Sequence, residues 1–437
     1  MSIRRCSGTW YNGIMAYMPY TFIPCLPTGR PYTVHPVCRQ AGDKPTRMFK
    51  TASRLGQVKE YYFSRKLREI REMNTAGKNV LNLGIGSPDL PPAPSVLEAL
   101  HQHSANLENH AYQSYTGLAE LRVAFADWYA RYFKVELDAT SEILPLIGSK
   151  EGIMHISMTY LEAGDSVLIP NPGYPAYRSV ANLTGAKIVE YELSEATNWL
   201  PDLDKLAAEE DLSKVKIMWL NYPNMPTGAS ADMRFFERLV AFAKQHHILL
   251  VNDNPYSFIL NDNPISLLAV DGAKEVAIEL NSLSKSHNMA GWRIGMLAGK
   301  AEYVQHVLRF KSNMDSGMFK PVQLAAAEAL QNPPEWYAKN NAIYSKRRAK
   351  VFEMMNLLDC NYRENQVGMF VWAKIPTHYK DCYELSDEIL QEANVFITPG
   401  AIFGTQGERY IRASLCSSVE VFENAIKRIK AAIAVDV

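Results

Sequence analysis

The chain has 437 residues, with 46 Lys plus Arg against 46 Asp plus Glu and hence a formal net charge of zero. That balance denies it the basic footprint a nucleic-acid binder needs, and no apolar run approaches the ~20 residues of a membrane helix. Hydrophobic residues make up 47% of the chain, the composition of a packed core and not of a disordered or fibrous polymer. At roughly 150 residues per domain, a globular enzyme of two or three domains is expected. The cysteines are Cys6, Cys25, Cys38, Cys360, Cys382 and Cys416. None forms a CxxC pair, so no metal site is expected. They are too few for a disulfide scaffold in so long a chain, which fits a reducing compartment, the cytoplasm.

Residues 1–42 contain no acidic residue, but hold Arg4, Arg5, Arg30 and Arg39 and five prolines. A mitochondrial leader is Arg-rich and acid-poor, but it is an amphipathic helix, which Pro19, Pro24, Pro27, Pro31 and Pro36 would break. A secretory signal would need an apolar stretch after the arginines. The expectation is that residues 1–47 are an unstructured or non-native extension upstream of a working start at Met48. A leader, and so a mitochondrial location, is the alternative.

After Met48 helical and strand patterns alternate. Residues 60–76 read as a charged amphipathic helix, 80–86 as a short strand, and Leu118–Phe133 and Glu151–Leu161 as helices. Strands follow at 166–171, 186–193, 215–222, 248–253, 275–282 and 292–299, with helices at 175–183 and 231–246 between them. Apolar strands separated by helices imply βαβ units and a mostly parallel sheet buried on both faces. Beyond residue 300 the pattern changes to long helices, notably 334–358. A mixed section then runs from 369–375 to a last helix at 420–434. The expected fold is α/β, with a large domain over 96–329 and a small α+β domain over 330–437. The segment 48–95 is expected to pack with the small domain.

Several strand ends carry reactive groups, and ligands of parallel sheets sit at the carboxyl ends of strands. Lys285 follows an apolar strand in SLSKSHNMAGWRIG, with Ser282 before it and Arg293 after it. Asp253 closes the strand at 248–253, and Tyr256 lies three residues on. Gly148, Ser149 and Lys150 open a helix, and an uncapped helix start offers N–H groups to an anion. LGIGSPD (83–89) is not a dinucleotide motif: Asp89 stands where the third glycine belongs, and Pro88 obstructs the helix. Singly these features are ordinary loop residues, helix caps or turns. As an ordered set they supply an amine, an acid, phosphate donors, an aromatic ring and an arginine, which is what aldehyde-cofactor chemistry needs.

From about residue 60 to 434 the chain resembles the class I/II pyridoxal-phosphate-dependent aminotransferases of fold type I, the aspartate aminotransferase superfamily. The resemblance rests on LNLGIGSPD, YQSYTGLAELR, GSKEG, IPNPGYPAY, NYPNMPTGA, VNDNPY, SLSKSHNMAGWRIG and RYIRASL, in the family's order. It implies a large domain whose mostly parallel, seven-stranded type of sheet lies between helices. It implies pyridoxal 5'-phosphate as cofactor and Lys285 as the lysine that bonds to it and moves the proton. Asp253 would hold the ring nitrogen and Tyr256 the ring oxygen, with Tyr174 stacked on the ring. Ser149, Lys150, Ser282 and Arg293 would bind the phosphate, joined by Tyr112 from a neighbouring subunit of a homodimer. Arg412 would grip the substrate α-carboxylate, with the backbone at Gly86 closing on it. One position departs from the family: Met225 stands where an asparagine usually reaches the ring oxygen, with Asn224 one place earlier. Asn224 is expected either to shift into that role or to leave the oxygen to Tyr256.

The implied reaction moves an amino group between an L-amino acid and a 2-oxo acid, with 2-oxoglutarate and glutamate as one pair. A carbon–sulfur lyase or synthase on the same fold, or a non-catalytic cofactor-binding regulator, are the alternatives. The side chain of the preferred donor stays open, because the stretch 310–320 contains no arginine to mark a dicarboxylate site. A chain starting at Met48 is expected to fold and to match the full chain in activity. Loss of activity or assembly on that truncation, by assay and sedimentation, would show that residues 1–47 contribute structure.

Overall fold

Three sheets organise the computed structural model, which describes residues 49–434 apart from 59 and 61. The expectation for residues 1–47 lies outside the described residues. The strands are β1 (Leu81–Asn82), β2 (Ile143–Leu146), β3 (Ser166–Asn171), β4 (Lys187–Glu192), β5 (Val215–Leu220), β6 (Leu249–Asp253) and β7 (Ala277–Ser282). They continue as β8 (Gly295–Gly299), β9 (Asn361–Tyr362), β10 (Phe370–Lys374), β11 (Val395–Phe396), β12 (Thr398–Pro399) and β13 (Tyr410–Ser414).

The large sheet has seven strands in the order β2-β8-β7-β6-β5-β3-β4. Its pairs are parallel from β7 through β6, β5 and β3 to β4, while β8 runs antiparallel to β7 and β2. Successive side chains of a strand point to opposite faces, and both faces here are covered. Val167, Ile169, Ile217, Trp219, Val251, Ile278 and Leu280 pack into one core. Their neighbours Leu168, Met218, Leu220, Leu250 and Ala277 pack into the other. This explains why the strands read as unbroken apolar runs. A four-stranded sheet, β12-β13-β10-β9, and the parallel pair β1-β11 lie apart from the large sheet. Pairing of Leu81 with Val395 and of Asn82 with Phe396 ties the early chain to its late part. The helix Tyr62–Thr75 is tied the same way, through Lys66 Nζ 3.3 Å from Asp387.

Three local readings change. The strand expected over 80–86 is only β1, because the chain turns through Gly84, Gly86 and Pro88 instead of pairing further. The strand expected over 292–299 starts at Gly295, since Arg293 takes a left-handed φ of 58°. β2 was not anticipated: it is four residues long and contains Pro145, which is tolerated because the strand is at the sheet edge.

One carboxylate is buried in the middle of the sheet. Glu279 of β7 accepts hydrogen bonds from Tyr129 Oη (2.9 Å), Ser266 Oγ (2.8 Å), Asn252 Nδ2 (3.0 Å) and the Leu267 amide (3.1 Å). Burial pushes its carboxyl above the usual range against these donors. Among the described residues, no helix is long and apolar enough to cross a membrane.

Candidate active site

The carboxyl ends of β2, β3, β5, β6 and β7 face one cavity of about 380 Å³. Its first wall is built to hold an anion. Gly148 follows β2 with φ 83°, and a Cβ there would fall on the Arg293 guanidinium, so only glycine fits. The helix Ser149–Tyr160 then begins with no side-chain cap, which directs its first N–H groups and its positive dipole end to the cavity. Arg293 is held by donating from Nη1 to the Ala290 carbonyl at 2.9 Å. Ser282, at the end of β7, accepts from the Ser284 amide at 3.1 Å and donates to the Ile294 carbonyl at 3.2 Å.

The second wall carries the titratable groups. Asp253 ends β6 and is buried; Oδ2 accepts from Tyr177 Oη at 3.1 Å, while Oδ1 has no hydrogen-bond partner among the described residues. Burial pushes this carboxyl up to about 6, against the Tyr177 hydrogen bond, the nearby Ser149 hydroxyl and the charge of Lys285. Tyr177 is itself fixed by stacking on Trp219, centroids 5.0 Å apart and planes 10° apart. Asn221, after β5, donates to the Asp253 carbonyl at 2.5 Å. Lys285 Nζ donates to the Gly86 carbonyl at 2.6 Å. Burial, with Arg412 and Arg293 adding to it, holds its ammonium below the usual lysine range. Tyr256 is buried against Phe370, which pushes its phenol above the usual range.

The third wall centres on Arg412 of β13. Its Nη2 donates to the Gly84 carbonyl at 2.8 Å, and its Nη1 points to Met225 Sδ at 3.1 Å. The guanidinium carbon lies 4.0 Å from the Phe370 ring centroid, 4.6 Å from Phe403 and 5.7 Å from Phe63.

Thus Gly86, Ser149, Lys150, Tyr174, Asp253, Tyr256, Ser282, Lys285, Arg293 and Arg412, all singled out in the sequence, line one cavity. Asn224 does not. Its Oδ1 accepts from Thr227 Oγ1 at 2.7 Å, its Nδ2 is buried with no hydrogen-bond partner among the described residues, and Met225 lines the cavity. Tyr112 lies outside its own chain's cavity, 91% exposed. Sequence reasoning missed Tyr177, Asn221 and the apolar lining by Phe63, Ile85, Phe370 and Phe403. Tyr177, Asn221 and Ile85 sit inside the quoted motifs IPNPGYPAY, NYPNMPTGA and LNLGIGSPD; Phe63, Phe370 and Phe403 carried no signal. Elsewhere Glu151, His155 and Asp315 bring their ligand atoms within 4.8 Å of one another. Lys311 Nζ, 2.9 Å from Asp315, already supplies a cation there.

The family model for aminotransferase class I and II matches residues 78–429. LL-diaminopimelate aminotransferases of Dehalococcoides mccartyi and Aquifex aeolicus are each 40% identical to this chain, over 87% and 88% of it and 98% and 99% of their own lengths. Among solved structures, substrate-bound BacF from Bacillus subtilis has a TM-score of 0.83 at 36% identity, covering 88% of this chain and 98% of its own. A probable N-succinyldiaminopimelate aminotransferase from Thermus thermophilus has 0.78 at 32%, covering 85% and 99%. The chain therefore belongs to the class I and II aminotransferases, pyridoxal-phosphate-dependent enzymes of the aspartate aminotransferase superfamily.

Proposed function

We propose that this cavity moves an amino group between an L-amino acid and a 2-oxo acid in two alternating half-reactions, with 2-oxoglutarate and glutamate as one pair. The observation that carries this is a set of three groups on one cavity: an amine held below its usual pKa at Lys285, a buried carboxylate oxygen without a partner at Asp253, and a buried guanidinium at Arg412.

The residues fit pyridoxal phosphate. The glycine cradle at Gly148, the helix start at Ser149 and Lys150, Ser282 and Arg293 would hold its phosphate. The unpartnered Oδ1 of Asp253 would accept the ring N–H. Tyr256 would serve the ring oxygen and Tyr174 would stack on the ring. Asn224 holds its loop through Oδ1, while its buried Nδ2, which has no hydrogen-bond partner among the described residues, would be the donor if the ring oxygen reached it. When bound, the cofactor supplies an electron sink for negative charge at the substrate α-carbon.

The chain's own groups do the rest. Arg412 releases Gly84 and Met225 to take the α-carboxylate in a bidentate pair. Lys285 Nζ, neutral in a larger fraction than a surface lysine at pH 7, takes the proton from the α-carbon and returns it to the cofactor side. Asp253 is buried, so the charge it would set against the ring nitrogen is weakly screened by water.

The test is a panel of amino acids assayed with 2-oxoglutarate for glutamate formation. Release of ammonia and a 2-oxo acid from one substrate without glutamate would indicate a lyase and overturn the proposal. A homodimer with shared sites is part of the same proposal, because Tyr112 is exposed and matches the family's cross-subunit position. Mixing Lys285→Ala with Tyr112→Ala protein should regenerate activity in hybrid dimers. A fully active monomer at assay concentration would rule out shared sites.

A further inference from the structure

We infer that Arg347, which does not line the cavity, is a positioning residue for the amino transfer proposed above, on which this rests: through Asp89 and Leu415 it fixes the segment 84–89 against the strand that bears Arg412, and so sets the affinity of the site for the substrate carboxylate. The segment carries two carbonyls that occupy two cations of the cavity. Gly84 accepts from Arg412 Nη2 at 2.8 Å, and Gly86 accepts from Lys285 Nζ at 2.6 Å. A Cβ on Gly86 would fall 2.3 Å from the Phe370 ring, the same ring that lies against the Arg412 guanidinium.

The two ends of the segment are held by different means. At the near end the Leu83 amide donates to the Phe396 carbonyl at 2.9 Å, and the Ser414 amide donates to the Leu83 carbonyl at 2.7 Å. Thr398 Oγ1 adds a bond to the Gly84 carbonyl at 3.0 Å. Beyond Gly84 this support stops. Residues 85–90 lie outside any helix or strand, and among the described residues no backbone–backbone hydrogen bond holds them. The far anchor is a side chain. Asp89 accepts from Arg347 Nη1 at 2.6 Å and from Nη2 at 2.7 Å, a fork-to-fork pair. Arg347 belongs to the helix Pro334–Leu357 and is buried, and its Nη1 also donates to the Leu415 carbonyl at 3.1 Å. Leu415 directly follows β13, the strand of Arg412. One guanidinium thereby joins the segment to the strand whose arginine the segment covers.

A carboxylate that takes Arg412 displaces the Gly84 carbonyl, so it arrives beside this segment. If the segment were loose, each binding event would have to order it, and that entropy would be subtracted from the affinity. Anchored at Asp89, it presents one arrangement to every ligand. Burial of the pair is uneven, with the Asp89 side chain 35% exposed and that of Arg347 4% exposed. Removing the arginine leaves a carboxylate that water reaches, whereas removing the carboxylate would strand a buried cation. Arg347→Met is therefore the cleaner variant.

The experiment uses purified holoenzyme and the best donor of the amino-acid panel. Arg347→Met should raise KM for the donor ~10-fold and leave kcat within ~3-fold of the parent. In a binding arm, 2-oxoglutarate is titrated calorimetrically into the pyridoxal phosphate form without a donor, where no amino group is present to transfer. Its Kd should rise by a similar factor of ~10. Asp89→Asn keeps an oxygen for Arg347 but loses the charge, and it should move both constants in the same direction; it carries the comparison alone if Arg347→Met does not fold. The double variant should match Arg347→Met within ~2-fold, because the two substitutions break one pair. A lower Tm with unchanged KM and Kd would make Arg347 a purely structural residue and overturn the inference. So would a loss confined to kcat, or losses that add in the double variant. A parent enzyme that binds 2-oxoglutarate but transfers no amino group would overturn the reaction alone, and the Kd arm would still decide the role of Arg347.

Discussion

Lys285→Ala is expected to lower turnover by about 10⁴-fold or more, because it removes the amine that carries the proton at the α-carbon. The loss should appear in kcat, since Arg412 and the anion-binding wall are untouched. The variant should still retain cofactor through the phosphate-binding groups, read as protein-bound cofactor after gel filtration. In the parent enzyme, borohydride reduction and peptide mapping should fix the cofactor to Lys285. Label on another lysine, or substantial turnover in the variant, would refute the assignment.

Asp253 gives the second large effect, in two measurements. Asp253→Ala should cost ~10²–10³-fold in kcat, the scale for loss of a buried charge aimed at the reacting system. The pH dependence of stability gives an independent readout. In the cofactor-free protein burial raises this carboxyl from 3.8 to about 6. The raised folded value means that its contribution to stability is fully present below the unfolded value near 4 and is lost as pH rises through about 6. The loss is roughly 3 kcal/mol once the group is ionised in both states. A bound ring N–H would give Oδ1 the partner it lacks. The Tm difference between holoprotein and cofactor-free protein should therefore widen from pH 4.5 to pH 7.5. Asp253→Asn should flatten that trend; an equal slope in the two proteins would mean that Asp253 does not meet the cofactor.

The strand ends were legible in the sequence because each is an apolar run stopped by a polar or turn-forming residue. Asp253 and Ser282 sit at such stops, Ser149 was legible as a helix start, and topology brings the three together. The apolar lining was not legible. Phe63 reads as one more core residue of an amphipathic helix, and long-range contacts of that helix, Lys66 with Asp387 and Tyr62 with Tyr383, put it beside Arg412. Phe370 and Phe403 look like ordinary core positions for the same reason. Asn224 was ambiguous because side-chain direction in a loop is set by local hydrogen bonds, here to Thr227. β2 escaped notice because four residues containing a proline give no periodicity.

The carboxylate of Glu279 has a consequence for how the protein comes apart. Its four donors join β6, β7, the helix Ala119–Phe133 and the turn at 266–267. Opening β6 from β7 would strand a buried charge, so these strands should separate only with the whole sheet. Their amide hydrogens should exchange with solvent as slowly as global unfolding allows. The helix that bears Phe63 is tied to the late chain by the single ion pair of Lys66 with Asp387 and should exchange sooner. On warming, the helix Tyr62–Thr75 should therefore come loose before the large sheet opens.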